Sequence, residues 1–221
     1  MIRFFKNLRQ AFFKKINKNF YSQFGEDKIL SELIPSNKIK GFYVDVGCFH
    51  PKKHSNTYFL YKRGWRGVNI DMEVEKIDVF NLARPKDFNY LAAVSDINEE
   101  VYIYRTQKFG VGSTIDKSIL KDESKIIDKK IISTKTLNQV LEISPFKNIK
   151  IDLLNIDTEG YDLKVLLSLN LSIYSPSIIV IETHLGEIDQ ILKSKIYRYL
   201  VDNNYKLKSW NLYSLIFISN N

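Results

Sequence analysis

The chain has 221 residues, of which 44% are apolar and 26% charged, which suits a single α/β domain better than two full domains. Its single cysteine excludes an intramolecular disulfide, and no run of about 18 apolar residues could span a bilayer. We therefore expect a soluble protein of a reducing, cytoplasmic compartment.

The positive charge is concentrated at the N-terminus. The formal net charge is +8, and six of these charges come from the first twenty residues, which leaves +2 for the rest of the chain. A nearly neutral body argues against a nucleic-acid-binding surface. No D-P-P-Y or N-P-P-Y stretch, of the kind used on flipped bases, occurs either. We predict no nucleic-acid partner.

Residues 1–21 are predicted to form a basic amphipathic helix. Apolar residues recur at steps of three and four and make one stripe flanked by lysines: Ile2, Phe5, Leu8, Phe12, Ile16 and Phe20. This pattern is typical of a helix on an anionic membrane surface, and it predicts peripheral contact of residues 1–20 with the inner membrane face. The alternatives are a helix that packs on its own domain or on a second subunit of a homo-oligomer. Charges interrupt every segment that a signal peptide would need.

Residues 22–221 are predicted to form one domain in which strands alternate with helices. The predicted strands, in chain order, are 42–47, 67–72, FNYLAAVSD, 101–105, 151–157, 177–183, and the pair YKLKSW and YSLIFIS. Helices are predicted between Ser22 and Pro35, at 55–63, 74–82, TLNQVLEI, YDLKVLLSL and 187–203. The polar segment 116–130 is interpreted as a solvated helix or a mobile cover. This alternation predicts a mostly parallel, doubly wound α/β sheet with a C-terminal antiparallel hairpin.

Four of the predicted strands end in acidic residues: Asp45, Asp71, Asp157 and Glu182. In a doubly wound sheet, ligands bind outside the carboxyl ends of the strands, near the point where the strand order reverses. The four acids therefore predict a ligand site at this edge of the sheet.

The turn after the first strand begins like a dinucleotide-binding motif but does not continue as one. Gly47 is followed by Cys48 and Phe49 instead of the further glycines that let a backbone approach a pyrophosphate. Asp71 lies 24 residues after Gly47, about the spacing at which an acid binds a ribose diol. A ribose without phosphates, close to several carboxylates, predicts S-adenosylmethionine, with its amino-acid end at Gly47. Asn56 opens a helix beside this turn and could bind the cofactor carboxylate or cap the helix.

Ordered blocks between residues 22 and 183 resemble the FkbM family of S-adenosylmethionine-dependent methyltransferases: SQFGEDKIL, DVGCFHPKKHSNTYFLYKRGWRG, NIDM, AAVSD, TLNQVL, LLNIDTEGYDLKVL and IVIE. The resemblance implies a Rossmann-like class I methyltransferase fold. It also implies methylation of a hydroxyl group on a sugar, glycan or glycan precursor. Position by position, it assigns Asp45 and Gly47 to the cofactor turn, Asp71 to the ribose, and Ser95 and Asp96 to the adenine edge. Cys48, Asn56 and Met72, which lie beside these positions, complete the predicted set of cofactor-binding residues, although Cys48 departs from the small or polar residue that many family members have there.

Methyl transfer to a hydroxyl group requires that the acceptor oxygen be oriented and deprotonated. Asp157 and Glu159 lie on the turn after the fourth parallel strand, beside the predicted cofactor sulfur, and are the first candidates for the general base. The alternative is a structural role, such as capping the helix near Tyr161. His50 is a further candidate, because an imidazole is mostly neutral at pH 7.

Asp157, Glu159 and Glu182 could also hold Mg²⁺ through hard oxygen ligands, although no residue is assigned as a metal ligand from the sequence. The spacing of Cys48 and the three histidines does not match a zinc site. Two rival functions remain at this point. One is a metal-dependent glycosyltransferase that uses a nucleotide-sugar. The other is a non-catalytic adaptor on a membrane surface, which would be favoured if Phe49 filled the cofactor pocket.

Overall fold

The structure is a computed structural model that describes residues 2–12, 20–107, 110, 113–120 and 122–220. The strands are β1 (Phe42–Val46), β2 (Arg66–Asp71), β3 (Phe88–Leu91), β4 (Ala93–Val94), β5 (Glu100–Arg105), β6 (Asp128–Lys135), β7 (Leu153–Ile156), β8 (Ile178–Glu182), β9 (Tyr205–Asn211) and β10 (Ser214–Ser219). The helices are α1 (Ile2–Phe12), α2 (Glu26–Leu33), α3 (Tyr58–Lys62), α4 (Val74–Ala83), α5 (Leu137–Ile143), α6 (Asp162–Leu167), α7 (Leu171–Tyr174), α8 (Ile188–Lys193) and α9 (Lys195–Asp202).

The central sheet has seven strands in the order β3-β2-β1-β7-β8-β10-β9. The first five of these are parallel, whereas β10 runs antiparallel to β8 and β9 antiparallel to β10. The strand order reverses between β1 and β7, where Val46 pairs with Ile156. The predicted fold, a mostly parallel doubly wound sheet with a C-terminal antiparallel hairpin, is therefore confirmed.

Successive residues of the central strands pack on opposite faces of the sheet. Tyr43 belongs to one core cluster with Trp65 and with Leu30 of α2. Val44, the next residue of β1, belongs to a larger cluster with Val165 of α6. Every residue of β1 is buried. A strand covered on both faces is apolar without alternation, which is why the continuous apolar runs of the sequence predicted the parallel strands correctly.

A second, three-stranded sheet differs from the sequence prediction. Its order is β4-β6-β5, and β6 pairs with β5 in antiparallel register from Glu100↔Ser133 to Arg105↔Asp128. The FNYLAAVSD segment is not one strand. Its first part, β3, pairs with β2, whereas its later part, β4, pairs with β6. Residues 116–130 contain two short 3₁₀ turns and the start of β6, not a solvated helix. Strand β6 is mostly exposed, so its sequence lacks an apolar strand signal.

The long helix predicted over 187–203 is two helices, α8 and α9. They are separated by Ser194, whose backbone is extended and whose hydroxyl oxygen accepts a hydrogen bond from the Tyr197 backbone N–H at 3.1 Å. A serine in this conformation is a favourable N-cap, so it starts a new helix. The short helix α7 was not predicted from the sequence.

Helix α1 covers part of the predicted N-terminal helix, and residues 13–19 of that prediction lie outside the described residues. The helix lies against α4, where Arg3 forms an ion pair with Asp78. Asn7 is buried, whereas Phe4 and Phe5 remain 54% and 61% exposed. Among the described residues, no helix has both the length and the apolar character needed to cross a bilayer.

Candidate functional site

A cavity of ≈ 760 Å³ lies at the carboxyl ends of the parallel strands, beside the point where the strand order reverses. All four acids at the predicted strand ends line it: Asp45, Asp71, Asp157 and Glu182. They come from β1, β2, β8 and the residue that follows β7. The parallel sheet thus brings carboxylates that are far apart in sequence to one edge.

The turn after β1 is held tightly between the neighbouring strands. The backbone N–H groups of Gly47 and Cys48 both donate to the Ile70 carbonyl, at 2.9 and 3.1 Å. Gly47 has φ +79, and a Cβ atom at this position would lie 1.7 Å from the Asp157 carbonyl oxygen. Only glycine fits here, because both the backbone conformation and the space exclude a side chain.

Asp45 is buried at the floor of the cavity and supports its neighbours. It accepts hydrogen bonds from Thr57 Oγ1 at 2.6 Å and from Asn155 Nδ2 at 2.9 Å. Asn56 in turn donates to Asn155 Oδ1 at 2.8 Å. Burial raises the pKa of Asp45, and these hydrogen bonds partly offset the rise. Asp45 and Asn56 therefore join β1, β7 and the start of α3 at the cavity wall.

Arg84 was not singled out from the sequence, yet it holds the loop between β1 and α3. Its side chain is fully buried. The guanidinium donates to the Pro51 carbonyl at 3.0 Å from Nε, to Ser55 Oγ at 2.9 Å and to Thr57 Oγ1 at 2.9 Å. A planar donor with five N–H groups can satisfy several acceptors at once. No local sequence pattern marks this role, because Arg84 reaches the loop from the far end of α4.

Asp71 lines the cavity at the end of β2. Its carboxylate accepts from the backbone N–H groups of Phe49, at 3.2 Å, and Glu73, at 2.9 Å, and it pairs with Lys76 Nζ at 3.4 Å. Burial raises the pKa of Asp71, whereas the nearby Lys76 lowers it. A carboxylate has about four acceptor positions. These three contacts leave about one position of Asp71 for a ligand hydroxyl group.

Lys76 belongs to a buried chain of charges beneath the cavity. It pairs with Glu73 at 2.8 Å, and Glu73 pairs with Arg105 Nε at 2.8 Å. Burial alone would lower the pKa of Lys76, but Asp71 and Glu73 raise it above its ordinary value. The lysine therefore stays charged and also lies 5.3 Å from the centre of the Phe49 ring. Phe49 lines the cavity without filling it.

The turn after β7 carries Asp157 and Glu159. Asp162 fixes it, because its carboxylate accepts from the Thr158 N–H at 2.9 Å and the Gly160 N–H at 3.2 Å. Glu159 has a left-handed backbone with φ 52, and its carbonyl accepts from Thr114 Oγ1 at 2.8 Å. Neither Asp157 nor Glu159 caps α6, whose N-cap residue Tyr161 has no side-chain cap hydrogen bond, and Asp162 holds the preceding turn instead.

Asp157 and Glu182 form an acidic pair at the cavity wall. Asp157 is exposed where it lines the cavity, and the cavity walls exclude much of the water around its carboxyl group. Burial is the largest cause that raises the pKa of Asp157 to about 8 and that of Glu182 to about 11, and repulsion from Asp162 and Glu159 adds to both shifts. A hydrogen bond between the two carboxyl groups lowers the pKa of Asp157 and raises that of Glu182. Glu159, Glu182 and His184 also offer ligand atoms that all lie within 4.8 Å of one another.

The wall opposite the β2 end is built from segments that the sequence did not link to the site. Phe24, before α2, lies 5.5 Å from Tyr213 between ring centres, and Tyr213 lies 6.1 Å from His184. Asn211 Nδ2 donates to the Phe24 carbonyl at 3.0 Å, and Ser214 Oγ donates to Glu26 at 3.0 Å. These contacts join residues 20–26 to the β9–β10 hairpin, 187 positions away in sequence.

The structure brings most of the predicted site residues to one cavity but not all of them. The cavity lining includes the predicted residues Asp45, Gly47, Cys48, Asn56, Asp71, Met72, Asp157 and Glu159. His50, Ser95 and Asp96 lie outside the lining. His50 is fully buried, and its Nδ1 accepts from the backbone N–H groups of Lys52 and Lys53, both at 3.0 Å. Ser95 is buried as well, and its hydroxyl donates to Asp96 at 3.1 Å.

A doubly wound parallel sheet with a polar cavity at its switch point defines the class of Rossmann-like ligand-binding domains. The methyltransferase FkbM domain matches this chain over residues 45–207. The chain therefore belongs to the FkbM family of S-adenosylmethionine-dependent methyltransferases, and the resemblance found in the sequence is confirmed. Family membership also favours methyl transfer over glycosyl transfer and over a non-catalytic adaptor. The comparison with curated protein sequences gives no match.

Three solved structures are similar in fold. The methyltransferase FkbM from Methylobacillus flagellatus KT has a TM-score of 0.55 and 10% identity over 90% of this chain, which spans 48% of that chain. A TehB-like SAM-dependent methyltransferase from Corynebacterium glutamicum ATCC 13032 has a TM-score of 0.45 and 12% identity, with 99% of this chain and 96% of that chain covered. WbdD has a TM-score of 0.41 and 12% identity, with 88% and 34% covered.

Proposed function

We propose that this methyltransferase transfers the methyl group of S-adenosylmethionine to a hydroxyl group of a sugar, glycan or glycan precursor. The observation that carries the proposal is the division of the cavity into two unlike ends. One end has Asp71 beside the short apolar wall of Ala92, Ala93 and Val94. The other, on the side of β8 and β10, has Asp157, Glu159 and Glu182 together with the aromatic residues Phe24 and Tyr213.

The residues at the first end fit S-adenosylmethionine. The cavity volume of ≈ 760 Å³ lies within the range of about 300–1,000 Å³ that is common for cofactor sites. Asp71 has about one acceptor position left for a ribose hydroxyl group. Ala92–Val94 offer an apolar surface to a flat base, and the acids beyond Gly47 attract a cationic ligand. When bound, the cofactor supplies a methyl group on a positively charged sulfur.

The residues at the second end fit a sugar. Sugar hydroxyl groups can donate hydrogen bonds to carboxyl oxygens and can accept them from protonated carboxyl groups. The C–H faces of a sugar ring are apolar enough to lie on aromatic side chains, and Phe24 and Tyr213 place two rings at this wall. An acceptor that is both polar and ring-shaped can form hydrogen bonds with the acids and lie on the aromatic rings.

We propose Asp157 as the general base. As the acceptor oxygen forms its bond to the methyl carbon and the carbon–sulfur bond breaks, the hydroxyl proton must move to a nearby group. The Asp157 surface faces the cavity, and its pKa of about 8 makes the ionised form, which becomes populated as the pH rises toward that value, a better proton acceptor than an ordinary aspartate. Glu159 lines the same wall and is the next candidate. The hydrogen bonds of His50 and its place outside the lining favour a structural role for it.

Asp157→Asn tests both the acceptor and the base. We expect the variant to bind S-adenosylmethionine within about twofold of wild type by calorimetry and to lose at least about 100-fold in kcat with a sugar acceptor, the lower range for loss of a general base. The assay follows a labelled methyl group from the cofactor to a panel of mono- and oligosaccharides, with phenols, amines and carboxylic acids as competitors.

Asp189→Asn is the matched control, since Asp189 is an exposed acid in the first turn of α8 and lies outside the cavity lining. It should retain wild-type turnover. Transfer of the label to an amine or a carboxylate instead of a sugar would contradict the proposed acceptor. Full activity of Asp157→Asn would contradict the proposed base.

A further inference from the structure

Glu159, Glu182 and His184 place three potential metal ligands at the second end of the cavity. One oxygen of each carboxylate and one imidazole nitrogen lie within 4.8 Å of one another. All three residues line the cavity. Donors that share one ion at about 2.0–2.2 Å lie at most about 4.4 Å apart, so the three side chains must close in slightly to bind it. The cluster mixes carboxylates with an imidazole and therefore differs from a simple patch of acids.

The backbone holds each of these ligands in place. Glu182 is the last residue of β8, and His184 follows two positions later, so both can point to the same side of an extended chain. Between them, the Thr183 N–H donates to the Tyr213 carbonyl at 2.7 Å and continues the pairing with the hairpin. Glu159 comes from the separate turn after β7, whose backbone is tied to Thr114 and Asp162.

Within the described part of the chain, no lysine or arginine forms an ion pair with Asp157, Glu159 or Glu182. Glu182 Oε2 is shielded from solvent and lies 3.7 Å from His184 Nε2, and the Glu182 carboxyl group shares a hydrogen bond with that of Asp157. Carboxyl groups this close repel each other when both are ionised, and a bound cation would relieve that repulsion.

We propose that Glu159, Glu182 and His184 bind a divalent cation, with Asp157 beside it. An imidazole next to carboxylates suits Mn²⁺ and other first-row transition ions better than Mg²⁺, which prefers oxygen ligands alone. The position of the ion on the acceptor wall would let it bind an acceptor oxygen and orient it toward the cofactor. This last role rests on the proposed function, whereas binding of the ion itself does not.

Mn²⁺ titration of the full chain, without cofactor or acceptor, tests the site by calorimetry and by loss of the free-Mn²⁺ paramagnetic resonance signal. We expect one Mn²⁺ per chain and at least about tenfold weaker binding in both Glu182→Gln and His184→Ala. His184→Ala should weaken Mn²⁺ binding more than Mg²⁺ binding, because it removes the nitrogen ligand. Since His184 is exposed, this variant should fold, and thermal unfolding checks both variants.

Glu187→Gln is the control, because Glu187 is an exposed carboxylate five positions after Glu182 that lies outside the cavity lining. It should leave Mn²⁺ affinity unchanged. Absence of Mn²⁺ binding in the wild type, or equal losses in Glu187→Gln and Glu182→Gln, would overturn the metal site even if methyl transfer to sugars were observed. Specific Mn²⁺ binding in a protein that methylates no hydroxyl group would support the site and contradict the proposed acceptor.

Discussion

At the scale of single residues, the site depends on a few positions where the surrounding atoms allow only one backbone conformation or one residue type. Gly47 is the clearest of them, since its backbone has φ +79 and lies directly against the Asp157 carbonyl. This contact places the turn after β1 and the turn after β7 side by side, so the two ends of the cavity have a fixed separation. Arg84 and Asp162 have similar roles in the loop before α3 and the turn before α6.

Gly47→Ala should therefore destabilise the protein strongly. The new Cβ would lie 1.7 Å from Asp157 O, and alanine disfavours a positive φ. We expect the free energy of unfolding to fall by at least about 2 kcal/mol, as for other substitutions at strained positions. Urea unfolding followed by circular dichroism measures this change.

Gly186→Ala is a suitable control for this substitution. A Cβ at Gly186 meets no atom within 4 Å, and its φ lies outside the left-handed range. Its free energy of unfolding should stay within about 0.5 kcal/mol of wild type. Equal stability of the two alanine variants would mean that the turn after β1 can relax away from β7.

At the scale of elements, the sequence predicted best those segments whose pattern is decided by burial. The strands β1, β2, β7 and β8 are almost entirely buried and mostly apolar because helices cover both faces of the sheet. Strand β6 was missed because it is held by β5 and β4 at the surface and its side chains alternate little. The break at Ser194 was missed because the apolar periodicity continues from α8 into α9 while a single cap ends one helix and starts another.

The candidate site likewise contains residues that could be predicted from the sequence and residues that could not. The acids at the strand ends could be predicted, since parallel strands bring their carboxyl ends together whatever the loops do. Phe24, Tyr213 and His184 could not be grouped in advance, because their proximity depends on how the hairpin folds back onto residues 20–26. The role of Lys76 could not be predicted either, because nothing in the sequence shows that this lysine lies on a buried helix face and pairs with Asp71.

Helix α1 carries a prediction at this scale. Its contact with α4 leaves Phe4, Phe5, Lys6 and Arg9 exposed, a combination of aromatic and basic side chains. We propose that this surface binds anionic membranes. Deletion of residues 1–20 should abolish co-sedimentation with vesicles that contain anionic lipid and leave the affinity for S-adenosylmethionine unchanged.

Neutral vesicles provide the control for charge, since they should bind the intact chain weakly. The substitution pair Phe4→Ser and Phe5→Ser provides the control for apolar insertion and should reduce binding to anionic vesicles. If the truncated chain bound these vesicles as well as the full chain, the membrane role would be wrong. The helix would then serve to pack on α4 or on a second subunit.

At the scale of the whole molecule, the two ends of the cavity are built by different parts of the chain. The β1–β4 half supplies the turn, the acid and the apolar wall at the proposed cofactor end. The acceptor end combines residues 20–26, β8 and the C-terminal hairpin, which pairs antiparallel to β8. Changes to the hairpin can therefore alter the acceptor site without disturbing the turn after β1, so acceptor and cofactor binding should be separable by substitution.

Tyr213→Ala tests this separation. Tyr213 is 48% exposed at the turn of the hairpin, so its ring can be removed without opening the core. Loss of an aromatic surface for the acceptor should raise KM for a sugar at least about fivefold, equivalent to ~1 kcal/mol of lost contact, with the affinity for S-adenosylmethionine unchanged. Tyr102→Ala is a matched control, because Tyr102 is 44% exposed on β5 and lies outside the cavity lining. If Tyr213→Ala weakened cofactor binding instead, the hairpin would belong to the cofactor end, and the assignment of the two ends would have to be reversed.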